Sequence, residues 1–257
     1  MTLIGLIVGL AAVLIGMVFK GVPLSALANP AAFFIILIGT AGAVIIATPG
    51  NEIKNIGRLF GVLFGKSRFT SNREVVTTIV ELSEIVRRDG ILALEEKADS
   101  IGHPFIVQGI QMLTEGADTH QISELLSAEI GAMEDRHAAN AQIFTQAGTY
   151  APTLGVLGAV LGLIAALSNM NDTEALGHAI SAAFVATLLG IFTGYVLWHP
   201  FANRLKRKSK QEAFVKGLML EGLLGISEGQ NPRALKDRLL LFLPEKARGD
   251  FAEEKTE

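Results

Sequence analysis

The sequence has no cysteine among its 257 residues, which excludes disulfide bonds, iron–sulfur clusters and thiol chemistry. Charged residues make up only 18% of the chain, against the roughly 25% usual in a soluble domain. The net charge of −3 gives no indication of nucleic-acid binding. Half of the residues are hydrophobic, and they are concentrated in two blocks of the chain. This composition predicts a membrane protein rather than one large soluble core.

Four segments contain no Asp, Glu, Lys or Arg and are long enough to cross a bilayer. They cover residues 2–19, 31–48, 151–169 and 179–200, and a membrane-spanning helix needs roughly 17–25 residues. No positively charged region precedes the first segment, and no convincing cleavage site follows it. We therefore interpret the first segment as a retained span rather than a signal peptide.

The distribution of lysine and arginine predicts the orientation of these spans. The two short connections, residues 20–30 and 170–178, contain only Lys20. Basic residues instead follow the second and fourth spans: Lys54, Arg58, Lys66, Arg68 and Arg73 after the second, and Arg204, Lys206, Arg207, Lys208 and Lys210 after the fourth. The positive-inside rule then places both termini and residues 49–150 of this multi-pass protein in the cytoplasm.

The predicted fold is all-α, with four transmembrane helices and a helical cytoplasmic domain. Its parts are a transmembrane hairpin at 1–49, a cytoplasmic domain at 50–149, a second hairpin at 150–202, and C-terminal helices and tail at 203–257. Apolar residues at helical spacing predict a helix that begins near Thr70-Ser71-Asn72 and ends at Gly90. Further helices are expected over 91–100, 104–113, 210–227 and 232–243, and from 118 or 119 through Phe144 into the third span, followed by a disordered acidic end.

Nothing in the sequence indicates an enzyme, a metal site or a cofactor. The five histidines are scattered, without the paired spacing that a metal site needs. The charged run at residues 134–137 is typical of a solvated helix face. The glycines at 155, 158 and 162 do not form a phosphate-binding loop, because no lysine follows them and no strand precedes them.

The third and fourth spans contain small and polar residues that have two interpretations. Three G-x-x-x-G pairs, at 5/9, 158/162 and 190/194, favour close helix packing within one subunit or between subunits. Hydroxyl side chains either line a hydrated path or, more commonly, bond their own helix backbone; they are Thr153, Ser168, Ser181, Thr187 and Thr193. Pro152 and Pro200 are expected to interrupt the helix hydrogen bonds and to leave carbonyl groups facing a cavity.

The spans contain no carboxylate. Ion pathways through membranes usually depend on a buried acidic side chain, which is costly and therefore functional where it occurs. If this chain serves an ion-driven machine, the titrating group must come from a partner helix. The sequence suggests the wall of a channel rather than a complete channel.

The stretch at residues 146–163, Gln-Ala-Gly-Thr-Tyr-Ala-Pro-Thr-Leu-Gly-Val-Leu-Gly-Ala-Val-Leu-Gly-Leu, resembles the entry to the third span in the MotA/TolQ/ExbB proton channel family. Residues 16–21, 27–32, 184–195 and 198–206 resemble its MotA branch, and the layout agrees along nearly the whole chain. The resemblance implies a flagellar stator subunit: a homopentamer around two helices of a MotB-type partner. The partner would supply the ion-binding aspartate and the cell-wall anchor, and the cytoplasmic domains would push on the rotor protein FliG.

The resemblance also assigns roles to particular residues. Pro152 and Pro200 match prolines at the channel entrance, and Thr187 matches a threonine that faces the partner's aspartate. Ala159 stands where sodium-driven relatives have threonine, which favours protons. With Thr153, these residues form the predicted ion pathway. The rotor contact is expected at Arg87 and Glu95, with Arg88 as an alternative to Arg87, although ordinary surface charge is a second interpretation of all three.

Other functions fit the sequence less well. An energiser of the ExbB or TolQ type shares the chemistry of the last two spans but has three spans, and a sodium-driven stator would differ mainly in ion choice. A secondary transporter would need a substrate-binding residue in the membrane and broken helices in paired positions, and neither is evident. Physical arguments alone leave a purely structural membrane scaffold as a further possibility.

Overall fold

A computed structural model describes residues 2–65, 71–98, 100–168, 170–249 and 251. Within these ranges every regular element is helical, which confirms the predicted all-α class. The chain divides into two compact units, residues 1–67 with 137–207 and residues 68–136 with 208–257. Several predictions concern residues outside the described ranges: the basic residues Lys66 and Arg68, the helix start at Thr70, the span end at Asn169 and the acidic tail after Phe251.

Four helices in the described residues are long and apolar enough to cross a membrane, as predicted. The first two are Thr2–Phe19 and Pro30–Ala47, and the other two are apolar parts of the long helices Thr119–Ser168 and Thr173–Ser227. The first span covers the predicted residues, and the second is shifted by one residue. The first two helices and the parts of the long helices at 137–168 and 173–207 belong to the first unit.

Side-chain caps determine where the spans begin after each short connection. The Asn29 side-chain oxygen accepts the N–H of Ala32 at 3.1 Å, and Pro30 occupies the first helical position. The Asn29 amide also donates to the Ala182 carbonyl at 3.3 Å, which joins the second span to the fourth. In the second hairpin, the Asp172 carboxylate accepts the N–H groups of Glu174 and Ala175, each at 3.0 Å.

A short amphipathic helix, Ile56–Phe64, packs against the end of the fourth span within the first unit. Leu59 and Leu63 on this helix are buried, and Phe60 meets Phe201 edge to face with ring centroids 6.2 Å apart. Arg204 donates its Nε–H to the Leu63 carbonyl at 3.0 Å. This bond satisfies one of the carbonyls that the helix leaves free at its C-terminal end.

The second unit is a helical domain with its own hydrophobic core. Its helices are Asn72–Asp89, Ile91–Leu94 (3-10), Glu95–Ala98, Pro104–Thr114, Pro232–Leu241 and Glu245–Gly249, together with residues 119–136 and 208–227 of the two long helices. Ser71 caps the first of these by accepting the N–H of Glu74 at 3.1 Å. Gly90 ends it with a φ of 85°, a conformation that favours glycine. Buried apolar side chains form the core, among them Ile79, Phe105, Ile110, Leu126, Met219 and Leu223.

Three predicted elements differ from the structure. The segment after Gly90 is a 3-10 turn, Ile91–Leu94, followed by the single helical turn Glu95–Ala98, rather than one helix over 91–100. The predicted separate helix over 210–227 is the end of Thr173–Ser227, because the helix continues through the polar, basic residues after the fourth span. The helix that starts at Pro232 ends at Leu241, two residues earlier than predicted.

Candidate functional site

The third and fourth spans pack closely enough that their backbones touch at glycines. A Cβ atom placed on Gly190 would lie 2.8 Å from the Ala151 carbonyl oxygen and 2.8 Å from the Cα of Gly155. A Cβ on Gly155 would lie 2.9 Å from the Ala186 carbonyl oxygen. Since real Cβ atoms do not approach backbone atoms this closely, only glycine fits at 155 and 190. Small residues are the usual means of close helix approach in membranes.

The glycine pairs singled out in the sequence contact helices within the chain. Gly158 and Gly162 face the Cβ atoms of Ala186 and Ala183, each at 3.2 Å from the position that a Cβ would take. Gly9 approaches Val196, with 2.8 Å between a placed Cβ and the valine Cγ1, whereas Gly5 has no atom within 4 Å. Packing within one subunit therefore accounts for most of these glycines, and Gly5 alone among them is open.

Pro152 lies inside the helix Thr119–Ser168 without ending it. The predicted interruption therefore concerns single hydrogen bonds and not the end of the helix. That the freed carbonyl groups face a cavity stays a prediction. Proline still lacks an N–H, so the carbonyl of Gly148 receives no donor from position 152. A Cβ on Gly194 would lie 2.8 Å from the Gly148 carbonyl oxygen and 2.7 Å from the Pro152 Cγ. Gly194 thus allows the fourth span to close against the proline and its free carbonyl.

Pro200 is preceded by a π-helical stretch, Thr193–Trp198, in which the hydrogen-bond ring is one residue wider than in an α-helix. The N–H of His199 accordingly donates to the carbonyl of Gly194, five residues back. Pro200 is the second residue of the α-helix His199–Ser227, so this proline does not end the helix either. A second π-helical stretch, Phe34–Ile38, lies in the second span. Such stretches are rare and are frequent at functional sites.

Four of the five hydroxyl groups named for the third and fourth spans bond their own helices. Thr153 donates to the Thr149 carbonyl at 3.2 Å and Thr187 to the Ala183 carbonyl at 3.3 Å. Ser168 and Thr193 do the same with carbonyls four residues back. These bonds favour the interpretation that the hydroxyl groups bond their own backbone over the interpretation that they line a hydrated path. A hydroxyl bonded in this way can still accept a hydrogen bond from a water.

The five predicted pathway residues lie on the two helices of this crossing but do not form one cluster. Only Pro152 makes a described contact across the helix pair, with Gly194. Thr153 and Pro200 are exposed, whereas Ala159 and Thr187 are half-buried. Their role in ion conduction stays a prediction. Among the described residues, no group of three or more His, Cys, Asp or Glu side chains is placed to hold a metal.

The predicted rotor residues lie on the surface of the second unit. Arg87, Arg88 and Glu95 are all exposed, on either side of the turn at Gly90. Arg88 pairs with its neighbour Asp89, with 2.8 Å between Nη2 and Oδ2. Hydrogen bonding to Arg88 holds the pKa of the Asp89 carboxyl below its ordinary value. The Arg88 guanidinium is therefore engaged locally, which favours Arg87 as the residue free to meet another protein.

A second polar group in this unit surrounds Lys216, and sequence reasoning missed it. The Lys216 ammonium lies 2.7 Å from a Glu129 carboxylate oxygen and 4.9 Å from the centre of the Phe105 ring. His103 lies nearby: burial, and then the charge of Lys216, lower the pKa of its imidazole. The imidazole therefore stays neutral near pH 7, which avoids a second positive charge beside Lys216. Only the fold brings these residues together, since they come from three separate helical segments.

His199 was also missed, although its place directly before Pro200 could have drawn attention to it. Its ring lies flat against Gly148 on the third span, where a placed Cβ would approach the imidazole Cγ and Cδ2 to 2.8 Å. The ring of Tyr195, one turn earlier, lies 5.2 Å from that of His199 at an angle of 43°. The imidazole is half-buried.

Comparison with known proteins gives consistent matches. The model of the MotA/TolQ/ExbB proton channel family matches residues 97–215, and that of the motility protein A N-terminal region matches residues 3–90. The chain is 55% identical to Motility protein A of Bacillus subtilis (strain 168), over 98% of this chain and 94% of that protein. It is 31% identical to chemotaxis protein PomA of Vibrio alginolyticus, over 95% of each.

Two solved structures match this chain in fold as well as in sequence. The chain matches the flagellar MotAB stator complex from Bacillus subtilis with a TM-score of 0.92 and 55% identity, over 97% of this chain and 98% of that one. It matches MotAB of C. jejuni with a TM-score of 0.90 and 29% identity, over 95% of each chain.

Proposed function

The chain belongs to the MotA/TolQ/ExbB proton channel family, and we propose that it is a stator subunit of the bacterial flagellar motor. The observation that carries this proposal is the match to the MotAB stator of Bacillus subtilis, with a TM-score of 0.92 and 55% identity along 97% of the chain. The relatives are motility proteins, so the chain is a motor and channel component and not an enzyme.

The chain works as a channel wall completed by other subunits. In this proposal, five copies surround two transmembrane helices of a MotB-type partner, which provides the titrating carboxylate that the spans lack. The large apolar side chains left exposed on the spans support such an assembly. In the first span only 6% of the residues are buried, and Phe19, Ile46 and Phe184 are exposed by 86%, 89% and 72%. Lipid and neighbouring subunits would cover these surfaces.

The location proposed for the chain is the bacterial inner membrane, with both termini in the cytoplasm. The basic residues that follow the second and fourth spans support this orientation. Lys54, Arg58, Lys206 and Arg207 are exposed in the first unit, where they can meet the anionic surface of the cytoplasmic leaflet.

The proposed ion is the proton, because Ala159 stands where sodium-driven relatives have threonine. The test is ion uptake by vesicles that contain the complex of this chain with its MotB-type partner. We expect uptake that acidifies the lumen, continues when potassium replaces sodium, and stops when the partner's carboxylate is changed to an amide. Uptake that requires sodium would assign the chain to the sodium-driven alternative. Uptake that persists with the amide would contradict the channel-wall proposal.

The alternative of an ExbB or TolQ type energiser is disfavoured by the N-terminal half of the chain. Residues 3–90 match the N-terminal model of motility protein A, and this region contains the first two spans. An energiser with three spans would not be expected to match there.

The rotor contact is proposed at the exposed residues around Gly90, namely Arg87 and Glu95, with Arg88 as the alternative to Arg87. Reversing the charge with Arg87→Glu is expected to reduce torque on FliG strongly while leaving the amount of stator complex unchanged, because the side chain is exposed. Torque is measured from tethered cells, and complex from pull-down of the partner.

The matched control is Arg233→Glu, which reverses an equally exposed arginine on another helix of the same unit. It is expected to leave torque near normal. Normal swimming of the Arg87→Glu strain, in cells without a second stator set, would remove Arg87 from the proposed contact.

A further inference from the structure

We propose that His199 is a proton-binding site of this chain, which takes up the conducted proton at the cytoplasmic end of the pathway and releases it to the cytoplasm. This inference rests on the proposed channel function. The partner's carboxylate explains how a proton enters the pathway, but the chain itself must let the proton leave.

The side chains of the spans offer few groups that can carry a proton. The hydroxyls of Thr153, Thr187 and Thr193 donate to carbonyls of their own helices. Residues 151–168 and 179–200 contain no carboxylate, lysine or arginine. Histidine is the side chain that gains and loses a proton near neutral pH, and His199 is the one histidine in these two segments.

The position of the imidazole is set by three neighbours. Its ring lies against Gly148, where a Cβ would come within 2.8 Å of Cγ and 2.9 Å of Cε1, so that only glycine leaves room for the ring. Tyr195 packs against the ring, with centroids 5.2 Å apart. Pro200 is the next residue along the chain, and Pro152 follows Gly148 by one helical turn. His199 therefore stands next to Pro200 in the chain and packs on the helical turn before Pro152, and the family resemblance places both prolines at the channel entrance.

The turn on which the imidazole packs lacks one helical hydrogen bond. The carbonyl of Gly148 receives no N–H from Pro152, because proline has none. It belongs to the residue that the imidazole covers. The same carbonyl oxygen faces Gly194, 2.8 Å from the position that a Cβ would take there.

Few charged residues stand near the imidazole along the helices that carry it and Gly148; the helix Ile56–Phe64, which packs against Phe144 and Phe201, carries Arg58. Tyr195 is the titratable side chain in contact with the imidazole. Residues 138–168 of the facing helix contain no charged residue or histidine, and neither do residues 2–19 and 30–47 of the first two spans. On its own helix the nearest charged residue is Arg204, whose Nε–H is bonded to the Leu63 carbonyl.

In the proposed step the imidazole ring takes up one proton and releases one proton. A ring nitrogen with a free lone pair accepts the arriving proton and forms an imidazolium. The N–H on the other ring nitrogen then gives its proton to cytoplasmic water. The ring returns to the neutral form as the opposite tautomer and resets by rotation or by exchange with water.

The test uses vesicles that contain the complex with its MotB-type partner and a pH-sensitive dye. His199→Phe keeps an aromatic ring against Gly148 but cannot carry a proton, and we expect proton uptake to fall roughly tenfold or more. Imidazole added on the cytoplasmic side should restore part of it by replacing the missing base. His199→Gln, which is polar and smaller, should show the same loss and rescue, so that misfolding of one variant cannot hide the result.

The matched control is His178→Phe, which changes an exposed histidine near the other end of the same span and should conduct normally. Normal uptake by both His199 variants would overturn the proposal, and so would a loss that imidazole does not rescue, since that result indicates a packing role. No proton uptake by the unaltered complex would overturn the proposed channel function itself, and the relay with it.

Discussion

Cells that carry Gly190→Ala are expected to build flagella but not to swim. A Cβ at this position would lie 2.8 Å from the Ala151 carbonyl oxygen and 2.8 Å from the Gly155 Cα. Both are backbone atoms of the facing helix, so neither can rotate away as a side chain would. The third and fourth spans would have to separate, which displaces every predicted pathway residue. Swimming speed and recovery of the partner-bound complex measure the effect.

The control for this substitution is Gly177→Ala on the same helix, where a Cβ would meet nothing within 4 Å. Alanine is the better helix former by about 1 kcal/mol, so neither substitution should weaken the helix itself. We expect the Gly177→Ala strain to swim normally. Normal swimming by the Gly190→Ala strain would contradict the close packing described for this helix pair.

Leu223→Ala is expected to destabilise the second unit by about 3 kcal/mol, the range found for buried leucines. Leu223 is fully buried, and its methyl groups fill the space left by Gly109 on the facing helix. By the usual relation of about 1.4 kcal/mol per factor of ten, amide exchange in the helix Asn72–Asp89 should accelerate by roughly a hundredfold. Hydrogen–deuterium exchange of the purified protein measures this.

Leu241→Ala serves as the matched control, because that leucine is 70% exposed at the end of a helix of the same unit. It should leave exchange of the helix Asn72–Asp89 unchanged. Equal protection in the Leu223 and Leu241 variants would mean that Leu223 does not support this core.

The sequence predicts the spans well because their signals are local. Thr2–Phe19 is an apolar run that ends before Lys20-Gly21, and the structure has the same limits. The second span begins one residue earlier than predicted, since Asn29 caps the helix and Pro30 takes its first position. The Ser71 cap and the end at Gly90 are equally local, and both helix boundaries follow from them.

The features that depend on packing could not be read from the sequence. The helices continue through Pro152 and Pro200 because a neighbouring glycine and a π-helical stretch accommodate the missing donors. The glycine lies on the opposite helix, and the π-helical stretch differs only in its hydrogen bonds. Neither feature produces a periodic pattern in the sequence. The contact of His199 with Gly148 is of the same kind, because it joins residues 51 positions apart in the chain.

The candidate site was predicted in part. The resemblance named Pro152, Thr187 and Pro200, and the structure places all three on the helix pair that packs through Gly155 and Gly190. In the proposed assembly, the partner's helices complete the pathway beside these residues. The rotor residues, by contrast, are exposed side chains whose position follows from the turn at Gly90.

The most direct test of whether this chain is a motor stator is the swimming of cells in which its gene alone is deleted. The test uses a strain without a second stator set, with the filaments stained. We expect normal filaments and no swimming, with motion restored by the unaltered gene. Normal swimming, or cells without filaments, would contradict the claim, since the first would make the chain dispensable for torque and the second would place it in assembly.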